Sequence, residues 1–331
     1  VGQAVAQIIQ TKGAQIEQEY GLTLKIVAVA TNSRGSLYLP NGLNTEDLLS
    51  VMDSSGNLAD YPNTPGLFRD WDADRIAEES NADTLVEVSF TNLETGQPAI
   101  DYCRAALESG KNVSTANKGP LALAYQELSD LAQENGVDFG FESTVMAGTP
   151  AIRGAEMLKG NTISEMRGIF NGTTNFILTQ MEVNQASFAD ALAEAQELGY
   201  AEADPSGDVD GHDAAGKVVI LANVFMNANI GLNDVDTTGI SQLTSEDITT
   251  AQAEGKRWKL IGRCRKDGDQ VLASVAPEKL PITDPLANVG GATNAITYST
   301  DLLGSTTLVG AGAGGTETAA GIMADILTMA G

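Results

Sequence analysis

Short β-rich runs alternate with helical stretches through the first half of the chain, and few folds accommodate that order. "LKIVAVAT" (24–31), "TLVEVSF" (84–90), "KNVSTAN" (111–117) and "VDFGFEST" (137–144) read as strands. An alanine-rich helical segment (95–109) ends at Gly110, and "PLALAYQELSDLAQEN" (120–135) has helical spacing. Val1, Val5, Ile8 and Ile9 start a helix at the first residue. Strands that are nearly continuous in apolar character are covered on both faces, as in parallel sheets joined by crossover helices. The expected fold class is α/β, with a Rossmann-type doubly wound parallel sheet.

The second half reads as α+β. "ISEMRGIF" (163–170) is strand-like, and "NGTTNFILTQM" (171–181) opens a helix. "FADALAEAQELG" (188–199) and "DAAGKVVILANVFM" (213–226) are helical, while "QVLASVAP" and "AITYST" are further strands. "LVGAGAGGTETAAGIMADIL" (308–327) repeats the strand, glycine loop, helix character of the first half. The expected organisation is a dinucleotide-binding domain of residues 1–148 with 308–331, and a substrate and dimerisation domain of 149–307.

Nineteen basic residues stand against 44 acidic ones, a net charge of −25. Phosphate backbones need a basic footprint, so nucleic acid is a poor partner. The acids are spread along the chain, which suits either a salty cytoplasm, where screening relieves self-repulsion, or an ordinary acidic enzyme. No apolar run of about 18 residues is present, so a membrane span is not expected. The opening residues lack a basic leader, so no secretory signal is expected either. Two cysteines, Cys103 and Cys264, are too few for a disulfide framework and fit a reducing cytoplasm.

A dinucleotide fold should open with a strand and G-x-G-x-x-G, whose glycines let backbone approach the pyrophosphate at a helix N-terminus. Here "VGQAVAQII" supplies only Gly2, as the third glycine. The first strand and two glycines are absent from this sequence, and the natural protein is expected to carry them or this form to bind cofactor poorly. The place of the ribose contact, roughly thirty residues on, is filled by "AVATNSRG" (28–35). Asn32 and Arg34 remove a carboxylate and add a guanidinium suited to a phosphate, which leans towards NADP over NAD.

Several segments in one order resemble the homoserine dehydrogenases: "VGQAVAQII", "TANKGPLA" (115–122), "FESTVMAGTPAIR" (141–153), "GIFNGTTNFIL" (168–178), "ELGYAEADPSGDVDGHDAAGK" (197–217) and "GAGAGG" (310–315). The fifth closely resembles the family's G-x-x-E-x-x-P-x-x-D-x-x-G-x-D-x-x-x-K signature. The resemblance covers nearly the whole chain. It implies hydride transfer between NAD(P)H and aspartate 4-semialdehyde, giving L-homoserine on the route to threonine, isoleucine and methionine. It also implies a cytoplasmic homodimer formed through the second domain, of the short monofunctional form.

The resemblance assigns site residues one by one. The reaction needs a proton donor and a positive charge near the developing alkoxide; Lys118 is expected to transfer the proton and Lys217 to orient the substrate oxygen, though the roles could be exchanged. Gly172 and Thr173 correspond to the substrate pocket, and Glu202, Asp208 and Asp213 to carboxylates facing the substrate ammonium or holding Lys217. Asp213 and Lys217, four apart on a helix, share a face. Cofactor contacts fall on Gly2, Asn32, Arg34, Thr91, Asn92, Asn117, Lys118, Gly312, Gly314 and Gly315. Glu142, Val145, Ala147 and Thr149 match a loop that binds a monovalent cation such as sodium through main-chain carbonyls; Met146 stands where a small residue is usual.

A calcium loop starting at Asp204 would place Val209 where glycine is needed and Ala215 where glutamate is needed. His212 falls at a variable position of the signature and receives no role; Asp204 and Asp210 belong to the acidic surface. An aspartate-semialdehyde dehydrogenase would need a thiolate, for which neither cysteine has a suitable setting. A silent dinucleotide sensor would have no use for the lysines and acids.

Overall fold

The computed structural model describes all 331 residues. The chain divides into two units, Val1–Thr144 with Gly314–Gly331, and Val145–Ala313.

In the first unit, β1 (Ala28–Thr31) and β2 (Gly35–Tyr38) form an antiparallel hairpin, and β3 (Thr84–Glu87), β4 (Asn112–Thr115) and β5 (Phe139–Gly140) form a parallel sheet in that order. Side chains alternate across the strands, and each face has its own helices. Leu85, Val113 and Phe139 meet Ile100, Cys103 and Leu107 of helix Ala99–Glu108 and Leu128 and Ala132 of helix Tyr125–Asn135. Val86 and Val88 turn the other way, towards Val5, Ile8 and Ile9 of helix Gly2–Tyr20 and Ala319 and Ile322 of helix Gly315–Met329. The sheet is thus doubly wound. Asp325 of the last helix accepts the Ser114 hydroxyl (2.9 Å) and the Glu142 N–H (3.3 Å). Gly140 permits this approach, because a Cβ there would lie 2.8 Å from that of Asp325.

Three local expectations are corrected. The 24–31 run contributes only Ala28–Thr31, and it pairs antiparallel with β2 because the chain turns back at once between Thr31 and Gly35 instead of crossing over through a helix. Its two sides serve separate clusters. Ala28 and Ala30 lie against Tyr38, Trp71 and Ile76, and Val29 against Leu37, Leu48 and Tyr61. The 137–144 run is a two-residue strand followed by a single turn, Glu142–Thr144. The 120–135 helix is two, Lys118–Leu123 and Tyr125–Asn135, since Ala124 leaves helical geometry at φ −140°.

The second unit is built on a six-stranded sheet ordered β11-β10-β6-β8-β9-β7. Its strands are β6 (Ile163–Ile169), β7 (Val235–Thr237), β8 (Lys256–Asp267), β9 (Gln270–Pro281), β10 (Thr293–Thr300) and β11 (Gly304–Ala311). All neighbours are antiparallel except β7 and β9. The strand and helix expected at 308–327 part company: β11 pairs with β10 in this sheet, and only helix Gly315–Met329 belongs to the first unit. The divisions accordingly fall at 144/145 and 313/314 rather than 148/149 and 307/308.

Helix His212–Met226 packs on β8 and β9, and its stretch from Ala214 to Ala222 is buried throughout. Glycine in the sheet makes room for it. A Cβ at Gly262 would lie 2.5 Å from the Phe170 ring and 2.8 Å from Val218, and one at Gly168 would lie 2.2 Å from the Ala295 carbonyl oxygen. A Cβ at Gly168 would also lie 2.7 Å from Phe170 Cε1, so the ring at the end of β6 occupies the space that both glycines leave. Overpacking is the expected result of any added methyl, so Gly262→Ala should cost roughly 1–3 kcal/mol. Urea unfolding would show a lower midpoint at unchanged slope; an unshifted midpoint would mean that the Phe170 ring yields freely.

Lys259 of β8 is buried, at 2% exposure, and donates to Asn175 Oδ1 (3.0 Å) and the Val289 carbonyl (2.6 Å). Burial lowers its pKa to about 8, against the pull of Glu182. Between that value and the ordinary lysine value the unfolded chain holds more protons, so this group's contribution to stability rises with pH. Relative to Lys259→Met, the natural chain should gain roughly 1 kcal/mol per pH unit above pH 8. Parallel melting curves at pH 7.5 and 9.5 would reveal it, and a constant difference would show that the ammonium is not desolvated.

Candidate functional site

Within the first unit, buried polar groups tie together the loops that follow β3 and β4. Glu87 accepts the Ser89 N–H (2.8 Å) and the Thr115 hydroxyl (3.1 Å), and Thr115 Oγ1 accepts the Asn117 N–H (3.0 Å). Asn117, 2% exposed, accepts the Gly119 N–H at its Oδ1 and donates through Nδ2 to the Ser89 and Phe90 carbonyls. One asparagine thus caps helix Lys118–Leu123 and fastens it to the loop after β3. Lys118, at the first position of that helix, is half-buried at the carboxyl end of the parallel strands. Thr91 and Asn92 follow in the same loop. Asn92 accepts two loop N–H groups, from Glu94 and Thr95, and its carbonyl oxygen would lie 3.0 Å from a Cβ at Gly119.

Gly2, at the start of its helix, would place a Cβ 3.7 Å from Val88 at the end of β3. Gly314, at φ 128°, precedes helix Gly315–Met329, and Thr316 of that helix shares a surface depression with Val1, Gln3, Ala4 and Gln7. Gly2, Asn117, Lys118, Gly314 and Gly315 sit at helix N-termini of this unit, and Thr91 and Asn92 in the loop after β3. Asn32 and Arg34 lie apart, exposed on the β1–β2 turn, where the Arg34 N–H bonds Thr31 Oγ1.

The second unit assembles a denser cluster. Lys217, 7% exposed, donates to Asp213 Oδ2 (2.7 Å) and to the Phe170 carbonyl (2.6 Å). Asn171 caps helix Gly172–Val183 by accepting the Thr174 N–H (2.8 Å), and its Nδ2 donates to Asp208 Oδ1 (2.5 Å) and Asp213 Oδ2 (3.0 Å). The Thr173 hydroxyl donates to the Tyr200 carbonyl (2.6 Å), and Gly172 passes so close to Ala292 that a Cβ would lie 2.7 Å from its carbonyl oxygen. Burial pushes the Asp208 carboxyl up, assisted by the charge of Asp213 and opposed by its bonds to Asn171 and Thr173 and by Lys217.

Gly172, Thr173, Asp208, Asp213 and Lys217 therefore converge. Glu202 does not join them: it is exposed, and its carbonyl accepts from Gln196. Sequence reasoning passed over Asn171 and the Phe170 carbonyl. The first was discoverable as an asparagine three residues before a threonine at a helix start; a main-chain acceptor leaves no mark in the sequence.

Val145, Met146 and Ala147 are buried, and Met146 (φ 62°) and Ala147 (φ 51°) are successive left-handed residues. Thr149 donates its hydroxyl to the Ala311 carbonyl (2.8 Å). Glu142 belongs to the first unit and these residues to the second. No three His, Cys, Asp or Glu side chains are grouped to hold a metal, and no helix is long and apolar enough to cross a membrane.

A lysine carries three N–H groups. Two of Lys217's are taken by fixed acceptors, which leaves one for a ligand oxygen. The homoserine dehydrogenase family model matches residues 150–327, which contain this whole cluster and more than half of the chain. The chain belongs to the homoserine dehydrogenase family. It is 45% identical to an NAD(+)-dependent homoserine dehydrogenase of Pseudomonas canavaninivorans over 99% of this chain and 92% of that protein. Identity to a homoserine dehydrogenase of Methanocaldococcus jannaschii is 41%, over 99% and 95%. Among solved structures, a homoserine dehydrogenase of Thiobacillus denitrificans superimposes with a TM-score of 0.83 at 34% identity, over 100% of this chain and 70% of that one. A hyperthermophilic archaeal homoserine dehydrogenase in complex with NADPH gives 0.81 at 33%, over 99% and 94%.

As a homoserine dehydrogenase, the chain is an NAD(P)-dependent oxidoreductase that interconverts L-homoserine and L-aspartate 4-semialdehyde. The thiol chemistry of the rival reading is disfavoured on physical grounds. Both cysteines are buried, Cys264 is pushed up to about 12 and Cys103 well above its ordinary value by desolvation, so neither supplies a thiolate at neutral pH.

Because the folded-state pKa of Asp208 is raised, its charged form weakens the fold at neutral pH, a cost that vanishes below the ordinary carboxylate value. Asp208→Asn should melt at or above the natural chain's temperature at pH 7, with the advantage shrinking towards about pH 4. Homoserine turnover should fall by roughly tenfold or more. A clear loss of stability at pH 7 would show that the carboxylate's hydrogen bonds outweigh its desolvation.

Proposed function

We propose that Lys217 holds the reacting substrate oxygen and that Lys118 exchanges its proton. The carrying observation is the buried Lys217 ammonium, fixed by Asp213 and the Phe170 carbonyl with one N–H to spare. An ammonium so held is suited to stabilising an alkoxide. Lys118 is half-buried, and access to water supports proton exchange. In homoserine oxidation the carbinol carbon loses a hydride, its two electrons leaving with it, and the hydroxyl proton passes to Lys118. Asp208 and Asp213, with Gly172 and Thr173, support recognition of the substrate's ammonium, since a buried charge requires partners; Glu202 would contribute from the exposed side of the same segment.

The bound nicotinamide supplies the hydride acceptor. The first unit's residues fit a dinucleotide: Gly2 leaves no side chain at the end of β3, and two helix N-termini border one depression, offering N–H groups of the kind that bind phosphate. Thr91, Asn92, Asn117, Lys118, Gly312, Gly314 and Gly315 would complete the cofactor contacts. NADP is the preferred form on this reading, with Arg34 near Asn32 meeting the additional phosphate. The carbonyls of Val145, Ala147 and Thr149 are proposed to bind a monovalent cation such as sodium, supported by the successive left-handed residues that turn this buried segment. Association as a cytoplasmic homodimer through the second unit is supported by exposed Leu302, Leu303 and Val309 on and beside edge strand β11.

Spectrophotometric assay with L-homoserine and each cofactor tests the reading. Lys118→Met and Lys217→Met should each lower kcat by roughly 10²–10⁴-fold, and near-normal turnover in both would refute the assignment. The kcat/KM ratio should favour NADP and fall about tenfold in Arg34→Ala; a strong NAD preference in the natural chain would overturn the role of Arg34.

A further inference from the structure

Asn294 of β10 is fully buried, yet neither its Nδ2 nor its Oδ1 has a hydrogen-bond partner. A buried carboxamide left without partners is costly, and native structures rarely keep one without a use. Its position is informative. On one side Asn294 pairs with Gly310 of β11. On the other it lies one residue past Ala295, the partner of Ile169, and so at the level of Phe170, whose carbonyl holds Lys217. Above it runs the backbone of Gly312, where a Cβ would lie 2.1 Å from both Cγ and Nδ2 of Asn294. Thr149 bonds the adjoining Ala311 carbonyl. The amide therefore sits beneath a glycine-rich segment, beside the strand that positions the reactive lysine.

We propose that Asn294 is a ligand-binding residue, covered by Gly312 in the free chain and engaged when this segment lifts. Both orphaned atoms are used at once by a group that presents a donor and an acceptor side by side. Two such groups belong to the reaction described above, on which this inference rests: the ammonium and carboxylate of the amino acid, and the carboxamide of the nicotinamide. In each case Nδ2 donates to an oxygen and Oδ1 accepts an N–H. The glycines at 310 and 312 are explained on the same footing, since any side chain there would jam against Thr149 or Asn294.

Asn294→Leu has nearly the same shape and no polar atoms. It should melt at or above the temperature of the natural chain, because it removes the unmet donor and acceptor, while a KM rises by about tenfold. A rise in the homoserine KM assigns the amide to the amino-acid head. A rise in the dinucleotide KM that is smaller when an acetylpyridine analogue of the cofactor, which keeps the carbonyl oxygen and lacks the amide N–H, is compared between the two proteins assigns it to the carboxamide. Asn294→Ala, which cannot overfill the site, should repeat the KM change if the leucine variant folds poorly. Unchanged KM values in both variants, or a drop in melting temperature for leucine with kcat and KM intact, would overturn the proposal. Failure of the natural chain to oxidise homoserine at all would instead refute the reading on which it rests.

Discussion

An ammonium removed from water must be surrounded by acceptors, and the demand made by Lys217 organises much of the second unit. Asp213, one turn earlier on the same helix, supplies one acceptor. The other is the Phe170 carbonyl, and its placement depends on the sheet, because the Phe170 ring occupies the space that Gly168 and Gly262 leave. Asp213 in turn shares Asn171 with Asp208, so two carboxylates are kept close by one side-chain amide. Without that donor their mutual repulsion would act in a poorly screened setting. Two sheet glycines and one helix cap thus bear on the position of a single nitrogen atom.

The first unit solves a related problem with neutral groups. Asn117 spends its carboxamide on a helix cap and on the carbonyls of a neighbouring loop. Lys118 inherits its position from this arrangement. Buried Glu87 and Thr115 extend the network into the strands, so the loops at the carboxyl end of the sheet are joined to its interior. Ligands in open α/β sheets bind at this end, and here the loops that would meet them are held by side chains with little freedom of their own.

What could be read from the sequence follows from range. β3 and β4 were legible as short β-prone runs, centred on Leu85, Val86 and Val113, that alternate with helical segments, and helix His212–Met226 because its middle, from Ala214 to Ala222, is buried throughout. β8 escaped notice: "KRWKLIGRCRKD" carries charges that pair across strands, such as Arg263 with Glu165 and Glu278, and the partners are distant in the chain. The pairing of β1 with β2 was equally hidden, since strand character does not specify a neighbour. At the site, the spaced signature located Asp208, Asp213 and Lys217 together. Glu202 carries the same signature yet stands in solvent, and Asn171 joins the acids without belonging to it. Contacts that depend on a carbonyl, or on an asparagine common to many helix starts, require the fold.

The division of the chain has a consequence for its synthesis. The backbone leaves the first unit after Thr144 and re-enters it at Gly314, so the second unit is an insertion and its sheet is complete once β11 has emerged. The first unit still lacks the helix that brings Ala319 and Ile322 to one sheet face and Asp325 to Ser114. Until that helix emerges, Val5, Ile8, Val86 and Val88 have only one another on that face, without Ala319 and Ile322. Domains generally fold as units during synthesis; here the unit that surrounds the insertion can close only after the inserted one has emerged.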